Sequence, residues 1–291
     1  MKTIMLETAD FNLEDHLSRR REQIDVALRH CLPQPARDPR RFAEAMRYAV
    51  LQGGKRMRPL LVTAACEAAG GTVAQSLPAG CALELIHAYS LVHDDLPAMD
   101  DDVERRGKPT VHVAFGEANA ILAGDALLTL AFEVLARGAA GVSRESTADS
   151  VVVLARHAGI AGMVGGQVLD LDLGQSIPDV KTLEEVHALK TGGLYAAAGA
   201  LGALSAGSDG DTVASLERYG LAFGIAFQHA DDVLDDDQKE LRVQALGRVD
   251  TLTEECRSIA GTFGTQGLAL VAIADWVRAR AHRAAGGDLR D

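Results

Sequence analysis

The sequence predicts an all-α fold around one large core, and three observations carry that expectation. Hydrophobic residues make up 47% of the 291 positions but aromatic residues only 4%, so the apolar content is mostly Ala, Leu and Val. Ala and Leu are strong helix formers. Apolar positions recur at helical spacing nearly throughout, and no run alternates as a half-buried strand would. One large domain suffices at this length and nothing forces a split, so residues 1–291 read as a single domain.

The first helix is expected over 11–31, with Asn12 as its cap and Leu13, Leu17, Ile24 and Leu28 on its apolar face. A second over 40–52 stops at Gly53-Gly54, and helices over 59–69 and 78–96 flank Gly70-Gly71. Further helical patterns cover 117–137, 146–165, 182–204, 211–236, 239–262 and 266–284. The glycines at 162–166 and 192–193 mark either close helix packing or a kink that lets backbone approach a ligand.

Bulk properties exclude some functions. A net charge of −12 argues against a nucleic-acid binder. Cys31, Cys66, Cys81 and Cys256 are scattered without metal-ligand spacing, and read as buried thiols in a reducing, cytoplasmic setting. Glu7, Asp10, Glu14 and Asp15 leave no room for a signal-peptide core, and the longest apolar stretches are interrupted, so no membrane span is expected.

Much of the acid sits in two runs. The first, 93–102, reads HDDLPAMDDD and follows an apolar helix carrying Leu83, Leu85, Ile86 and Leu91. Pro97 cannot continue that helix, and a turn there would bring Asp94 and Asp100 together. The second, 228–237, reads QHADDVLDDD. Asp231 and Asp235 are four apart and share a helix face, as do Asp232 and Asp235 at three apart. Like charges so spaced destabilise a helix unless a cation absorbs their field. Carboxylates of this kind suit magnesium, which binds a few carboxylates, phosphate oxygens and water. Neither run has the glycine and glutamate of a calcium loop. A diphosphate held by metals also needs protein cations: Lys55, Arg56 and Arg58 stand at a glycine-rich helix boundary, Arg105 and Arg106 closely follow the first acidic run, and Lys190 sits inside an otherwise apolar helix. Taken alone, each run or cation could equally be a solvated surface.

In order, Gly53-Gly54-Lys55-Arg56-x-Arg58-Pro59, Asp94-Asp95-x4-Asp100 with Arg105-Arg106-Gly107, Lys190-Thr191-Gly192, and Phe227-Gln228-x2-Asp231-Asp232-x2-Asp235 resemble the trans-isoprenyl diphosphate synthases. The runs over 116–125 (GEANAILAGD) and 159–172 (GIAGMVGGQVLDLD) are similar to the bacterial farnesyl diphosphate synthases. The likeness spans roughly residues 40–236.

The resemblance implies the isoprenoid synthase fold, ten or more helices around a central cavity with both Asp clusters at its mouth, and a homodimer. It implies a magnesium-dependent prenyltransferase that joins isopentenyl diphosphate to an allylic diphosphate. By position, Asp94, Asp95, Asp100, Asp231, Asp232 and Asp235 would hold magnesium, three ions per site with substrate bound. Lys55, Arg58, His87 and Arg106 would bind isopentenyl diphosphate. Arg105, Lys190, Thr191 and Gln228 would bind the allylic diphosphate. Asp94, Asp95, Asp100, Arg105, Lys190 and Asp231 would carry the chemistry, with no base assigned to His93 or His229. Tyr89 lies five residues before Asp94, about 7.5 Å down the helix, and Ser90 four before. A bulky residue there implies a short product, farnesyl diphosphate.

The match fails after Asp235. The family continues with a flexible loop and two lysines, whereas here the segment near 236–242 is shortened and reads DDQKELR. Either Lys239 or Arg242 substitutes, or the chain is a non-catalytic prenyl-diphosphate-binding or regulatory subunit, or residues are missing from the sequence. A geranyl or geranylgeranyl diphosphate synthase and, more weakly, a terpene cyclase are the other enzymatic readings.

Overall fold

The computed structural model describes residues 11–35, 41–173, 179–234 and 242–286. Helices form almost all of it. In chain order they are α1 (Leu13–Cys31), α2 (Phe42–Leu51), α3 (Met57–Ala68), α4 (Val73–Asp94), α5 (Val111–Phe115), α6 (Glu117–Arg137), α7 (Arg144–Ala158), α8 (Met163–Leu173), α9 (Val180–His187), α10 (Gly193–Ser205), α11 (Gly210–Leu234), α12 (Arg242–Gly261) and α13 (Leu268–Ala284). A π-helical turn, Ala188–Gly192, joins α9 to α10.

The local chemistry explains the starts. Asn12 accepts from the Asp15 N–H at 3.0 Å, which caps α1 as its position in the sequence predicts. Thr72 and Gln75 form a capping box at α4. Every residue of α10 is buried. This helix packs on α11, α3, α7 and α4, and its small residues permit the approach. A Cβ on Gly199 would come within 1.9 Å of the Leu216 carbonyl oxygen of α11, so only glycine lets these two helices touch there.

The structure departs from the sequence expectation in three places. The pattern over 146–165 breaks at 159–162, and the glycine-rich run after it forms a separate helix, α8. Periodicity over that run is blurred because small residues occupy positions that face neighbouring backbone. Two strands occur, β1 (Glu104–Arg105) paired antiparallel with β2 (Lys108–Pro109). At two residues each they are too short to leave an alternating pattern. Finally, α6 and the stretch 144–173 are long and apolar enough to cross a membrane by length and composition, contrary to the expectation of no such segment, with 33% and 28% of the apolar windows buried. Ile121, Leu122, Val152, Val164, Val168 and Leu171 on these helices are exposed. The four cysteines are free, as expected, and all but Cys31 are buried.

Candidate active site

The first acidic run is shaped by the end of α4. Asp94 is the last helical residue, and Pro97 lies in the turn that follows. The Asp100 N–H donates to the Asp94 carbonyl at 2.9 Å, so the turn does bring Asp94 and Asp100 together. Asp95 points inward and is buried, and it accepts from Arg105 Nε at 2.7 Å. Arg105 also reaches Asp102 at 3.2 Å. The Asp94 carboxyl is pushed up to about 6, first by burial, against the pull of Lys190 and Arg105, and further by Asp100 and Asp95. This is a carboxylate group short of countercharge, built only of hard oxygen donors. Those donors fit magnesium, whose field would let Asp94 ionise.

The β1–β2 hairpin sets Arg105 and Arg106. Its turn residues Arg106 and Gly107 have φ of +56° and +75°, the left-handed pair that a tight hairpin requires. Asp101 and Arg56 are also left-handed, at +55° and +54°. Left-handed non-glycine residues cost on the order of 1–3 kcal/mol each and persist where the surroundings hold them, often at functional sites. Arg106 Nη1 donates to the Gly53 carbonyl at 2.7 Å, which ties the hairpin to the loop before α3.

Beyond that tie lies a cavity of about 300 Å³, lined by Lys55, Arg58, Glu84, His87, Arg106, Tyr195, Phe227 and Asp231. Lys55 Nζ lies 5.6 Å over the Phe227 ring and the Arg58 guanidinium 4.9 Å over Tyr195. Burial, then Arg58, Arg106, Arg105 and Arg56, hold His87 well below its usual range, so it stays neutral and can offer a hydrogen bond without adding charge. All four residues expected to bind one diphosphate therefore share one cavity. Arg56 also lines this cavity, but its charge is already paired. Its side chain is buried and pairs with Glu84 at 2.7 Å and Asp25 at 3.0 Å, which anchors the start of α3. A larger groove, about 920 Å³ along α1, α2 and α6, contains none of the expected site residues.

Lys190 and Thr191 come from the π-helical turn. Lys190 Nζ lies 2.5 Å from Asp170 Oδ2 of α8. Thr191 donates to Gln228 at 3.1 Å, and Gln228 donates to Asp232 at 3.2 Å. His187 Nε2 is 3.2 Å from the other oxygen of Asp232. Asp232 thus accepts from Gln228 through one oxygen, while its other oxygen lies near His187 without an aligned donor among the described residues. Asp231 faces the cavity and meets Arg280 Nη1 at 2.5 Å. Asp235 and Lys239 lie outside the described residues, as does most of the segment near 236–242. His229 pairs with Glu184 at 3.2 Å, and His93 with the Ile121 carbonyl at 3.1 Å; both act as hydrogen-bonded supports. One nitrogen each of His187 and His229 and an Asp232 oxygen lie within 4.8 Å of one another, a set better suited to a borderline metal than to magnesium.

Tyr89 is buried, with its ring edge-on to His93 at 5.8 Å, and burial and then Asp94 raise its phenol pKa. Ser90 spends its hydroxyl on the His87 carbonyl at 3.0 Å. Sequence reasoning missed Asp170, Tyr195 and Arg280. Asp170 stood inside the quoted run over 159–172. Nothing in the sequence separates Arg280 from the other basic residues around it.

The polyprenyl synthetase profile matches residues 39–246. The chain belongs to this family. A dimethylallyltranstransferase of Fischerella ambigua is 39% identical over 95% of this chain and 86% of its own length. A geranylgeranyl diphosphate synthase of Cyanophora paradoxa is also 39% identical, over 92% of this chain and 96% of its own. Among solved structures, an FPP/GFPP synthase from Zymomonas mobilis superposes with a TM-score of 0.82 at 39% identity, covering 91% of this chain and 98% of the other. A geranyltransferase from Legionella pneumophila gives a TM-score of 0.82 at 32% identity, covering 93% and 98%. This polyprenyl synthetase therefore has the all-α isoprenoid synthase fold and is a prenyltransferase of isoprenoid biosynthesis.

Proposed function

We propose that this polyprenyl synthetase condenses isopentenyl diphosphate with dimethylallyl or geranyl diphosphate, and that its main product is farnesyl diphosphate. The observation that carries this reading is the division of the cations into two sets. Lys55, Arg58 and Arg106 surround the cavity with neutral His87. Lys190 and Arg105 stand outside that lining, Arg105 paired with Asp95 and Asp102 of the first acidic run and Lys190 with Asp170. Two diphosphates need two separate cation sets, and a cyclase with one substrate would need only one.

Magnesium, three ions per site in this reading, would stabilise the charge that develops on the leaving diphosphate. Asp94, Asp100 and Asp231 would hold it. Asp95 and Asp232 support them through Arg105 and Gln228. Lys190 and Arg105 orient the allylic diphosphate, so that its C–O bond breaks with the electron pair leaving on the diphosphate. The isopentenyl double bond then attacks the allylic cation, and the proton lost goes to the departing diphosphate. The aromatic wall of Tyr195 and Phe227 keeps water from the cation. Tyr89 below Asp94 limits the chain to fifteen carbons. The exposed apolar residues of α6, α7 and α8 suit burial in a homodimer, working in the cytoplasm.

The test is incubation of purified protein with magnesium, isopentenyl diphosphate and each allylic primer, with products weighed by mass spectrometry. A fifteen-carbon diphosphate supports the reading. Longer products would refute the chain length alone, and no product with any primer would refute the condensation.

A further inference from the structure

Arg280 projects from near the end of α13 towards Asp231 on α11, and the two side chains are only 20% and 26% exposed. Its guanidinium lies 5.5 Å over Phe227 and 5.8 Å over Trp276, four residues earlier on the same helix. Aromatic faces hold a guanidinium without consuming its donors. Nη1 is buried and, despite its closeness to Asp231, has no aligned hydrogen-bond acceptor among the described residues.

The surroundings give this pair a meaning. Phe227 also carries Lys55, and it lies 5.7 Å from Tyr195, which carries Arg58. Lys55, Arg58 and Arg280 therefore gather on one aromatic pair at the edge of one cavity. Of the acids lining that cavity, Glu84 is committed to Arg56. Asp231 is the acid that Arg280 holds. A magnesium ion sits about 2.1 Å from a carboxylate oxygen, and Nη1 already occupies a position 2.5 Å from Asp231 Oδ1. A metal ion at that oxygen would be strongly repelled by the guanidinium in a poorly solvated site.

We propose that Arg280 is a placeholder cation: it holds Asp231 in the substrate-free enzyme, releases it to the metal when substrate enters, and turns its guanidinium onto the diphosphate beside Lys55 and Arg58. The proposal rests on the condensation reading above. It assigns Arg280 to both the metal and the diphosphate, with opposite effects on each. While bound to Asp231 it competes with metal. Once released it adds a planar, two-pronged donor for phosphate oxygens.

The experiment compares wild type with Arg280→Gln and Arg280→Lys, after thermal melting shows that each folds. Mn2+ binding to substrate-free protein is read by electron paramagnetic resonance. Binding of inorganic diphosphate with magnesium present is read by calorimetry, and KM for isopentenyl diphosphate is read against kcat. Arg280→Gln should bind Mn2+ several-fold tighter. It should bind diphosphate about ten- to a hundred-fold more weakly, the loss of one charge-assisted hydrogen bond, with KM rising by a similar factor. Arg280→Lys should leave Mn2+ binding near wild type and recover only part of the diphosphate affinity. A merely structural arginine would weaken both ligands together. That outcome, or Mn2+ or diphosphate binding unchanged in Arg280→Gln, overturns the proposal. If Arg280→Gln does not fold, diphosphate affinity in Arg280→Lys equal to wild type overturns it, and a partial loss supports it. Absence of turnover in wild type would defeat the condensation reading instead, and the two titrations do not depend on turnover.

Discussion

Asp100 closes the turn after α4 by donating its backbone N–H to the Asp94 carbonyl at 2.9 Å. The bond fixes two carboxylates at the end of one helix, where burial and their own repulsion work against ionisation. The Asp94 carboxyl, raised from 3.8 to about 6, is the measurable consequence. A carboxyl whose folded pKa exceeds its unfolded value makes the native state bind the proton more tightly. Stability therefore falls as pH rises from about 4 to 6, and the whole penalty is present above that window. Asp94→Asn removes it. The metal-free variant should be more stable than wild type at pH 7.5 by about 1–2 kcal/mol, after discounting the shift for partial exposure. The difference should vanish below about pH 4. Turnover should fall at least about a hundred-fold, since a metal ligand and its charge are gone. Melting curves across pH, with an activity assay at pH 7.5, test both limbs.

Gly166 and Lys190 make a second prediction. A Cβ on Gly166 would stand 2.3 Å from the Lys190 backbone nitrogen, so α8 rests directly on the π-helical turn. Gly166→Ala must push the turn away. It should cost about 2–3 kcal/mol, as overpacking does, and weaken the allylic substrate as Lys190 moves. Lys190→Ala should lower kcat/KM for the allylic diphosphate by about a hundred-fold or more without that loss of stability. Denaturant melts and steady-state kinetics on both variants separate the packing effect from the charge effect.

The order of helices was legible because long stretches such as 117–137 repeat apolar residues at helical spacing, and α6 spans those bounds. The Asp94–Asp100 turn was legible because Pro97 has no N–H to continue a helix. Gly166 was not resolved, since a glycine beside a helix reads the same whether it packs or kinks. The inward path of Arg56 was hidden among three neighbouring cations, because its partners Asp25 and Glu84 are 31 and 28 residues away in sequence. Arg280 was missed for the same reason, as nothing near it in the sequence marks a pairing with Asp231.

Arg56 and Glu84 give a stability prediction at the floor of the cavity. Both side chains are at most 7% exposed and they meet at 2.7 Å. Breaking a buried pair leaves an uncompensated charge, so Glu84→Gln should cost about 3–5 kcal/mol. Arg56 would still hold Asp25 and the Val50 carbonyl, so the fold should survive at low temperature. Loss of the Glu84 charge leaves the cavity beside Lys55 and Arg58 more positive, which predicts stronger binding of inorganic diphosphate in the surviving fraction. Chemical denaturation and calorimetry together would show a protein less stable yet tighter for the anion.

Tyr89 tests the product length directly. It is buried one turn below Asp94, and its ring is held edge-on by His93. An aromatic side chain there occupies space that a growing prenyl chain would need. Tyr89→Ala should open that space, at a stability cost of about 3–5 kcal/mol for the buried ring, and shift the main product from fifteen carbons to twenty or more. Tyr89→Phe keeps the bulk and loses only the hydroxyl, so it should leave the product unchanged. If both variants make the same product as wild type, Tyr89 is a core aromatic that faces away from the chain. Mass analysis of products from geranyl diphosphate and isopentenyl diphosphate decides between these outcomes, and melting curves check that the alanine variant remains folded during the assay.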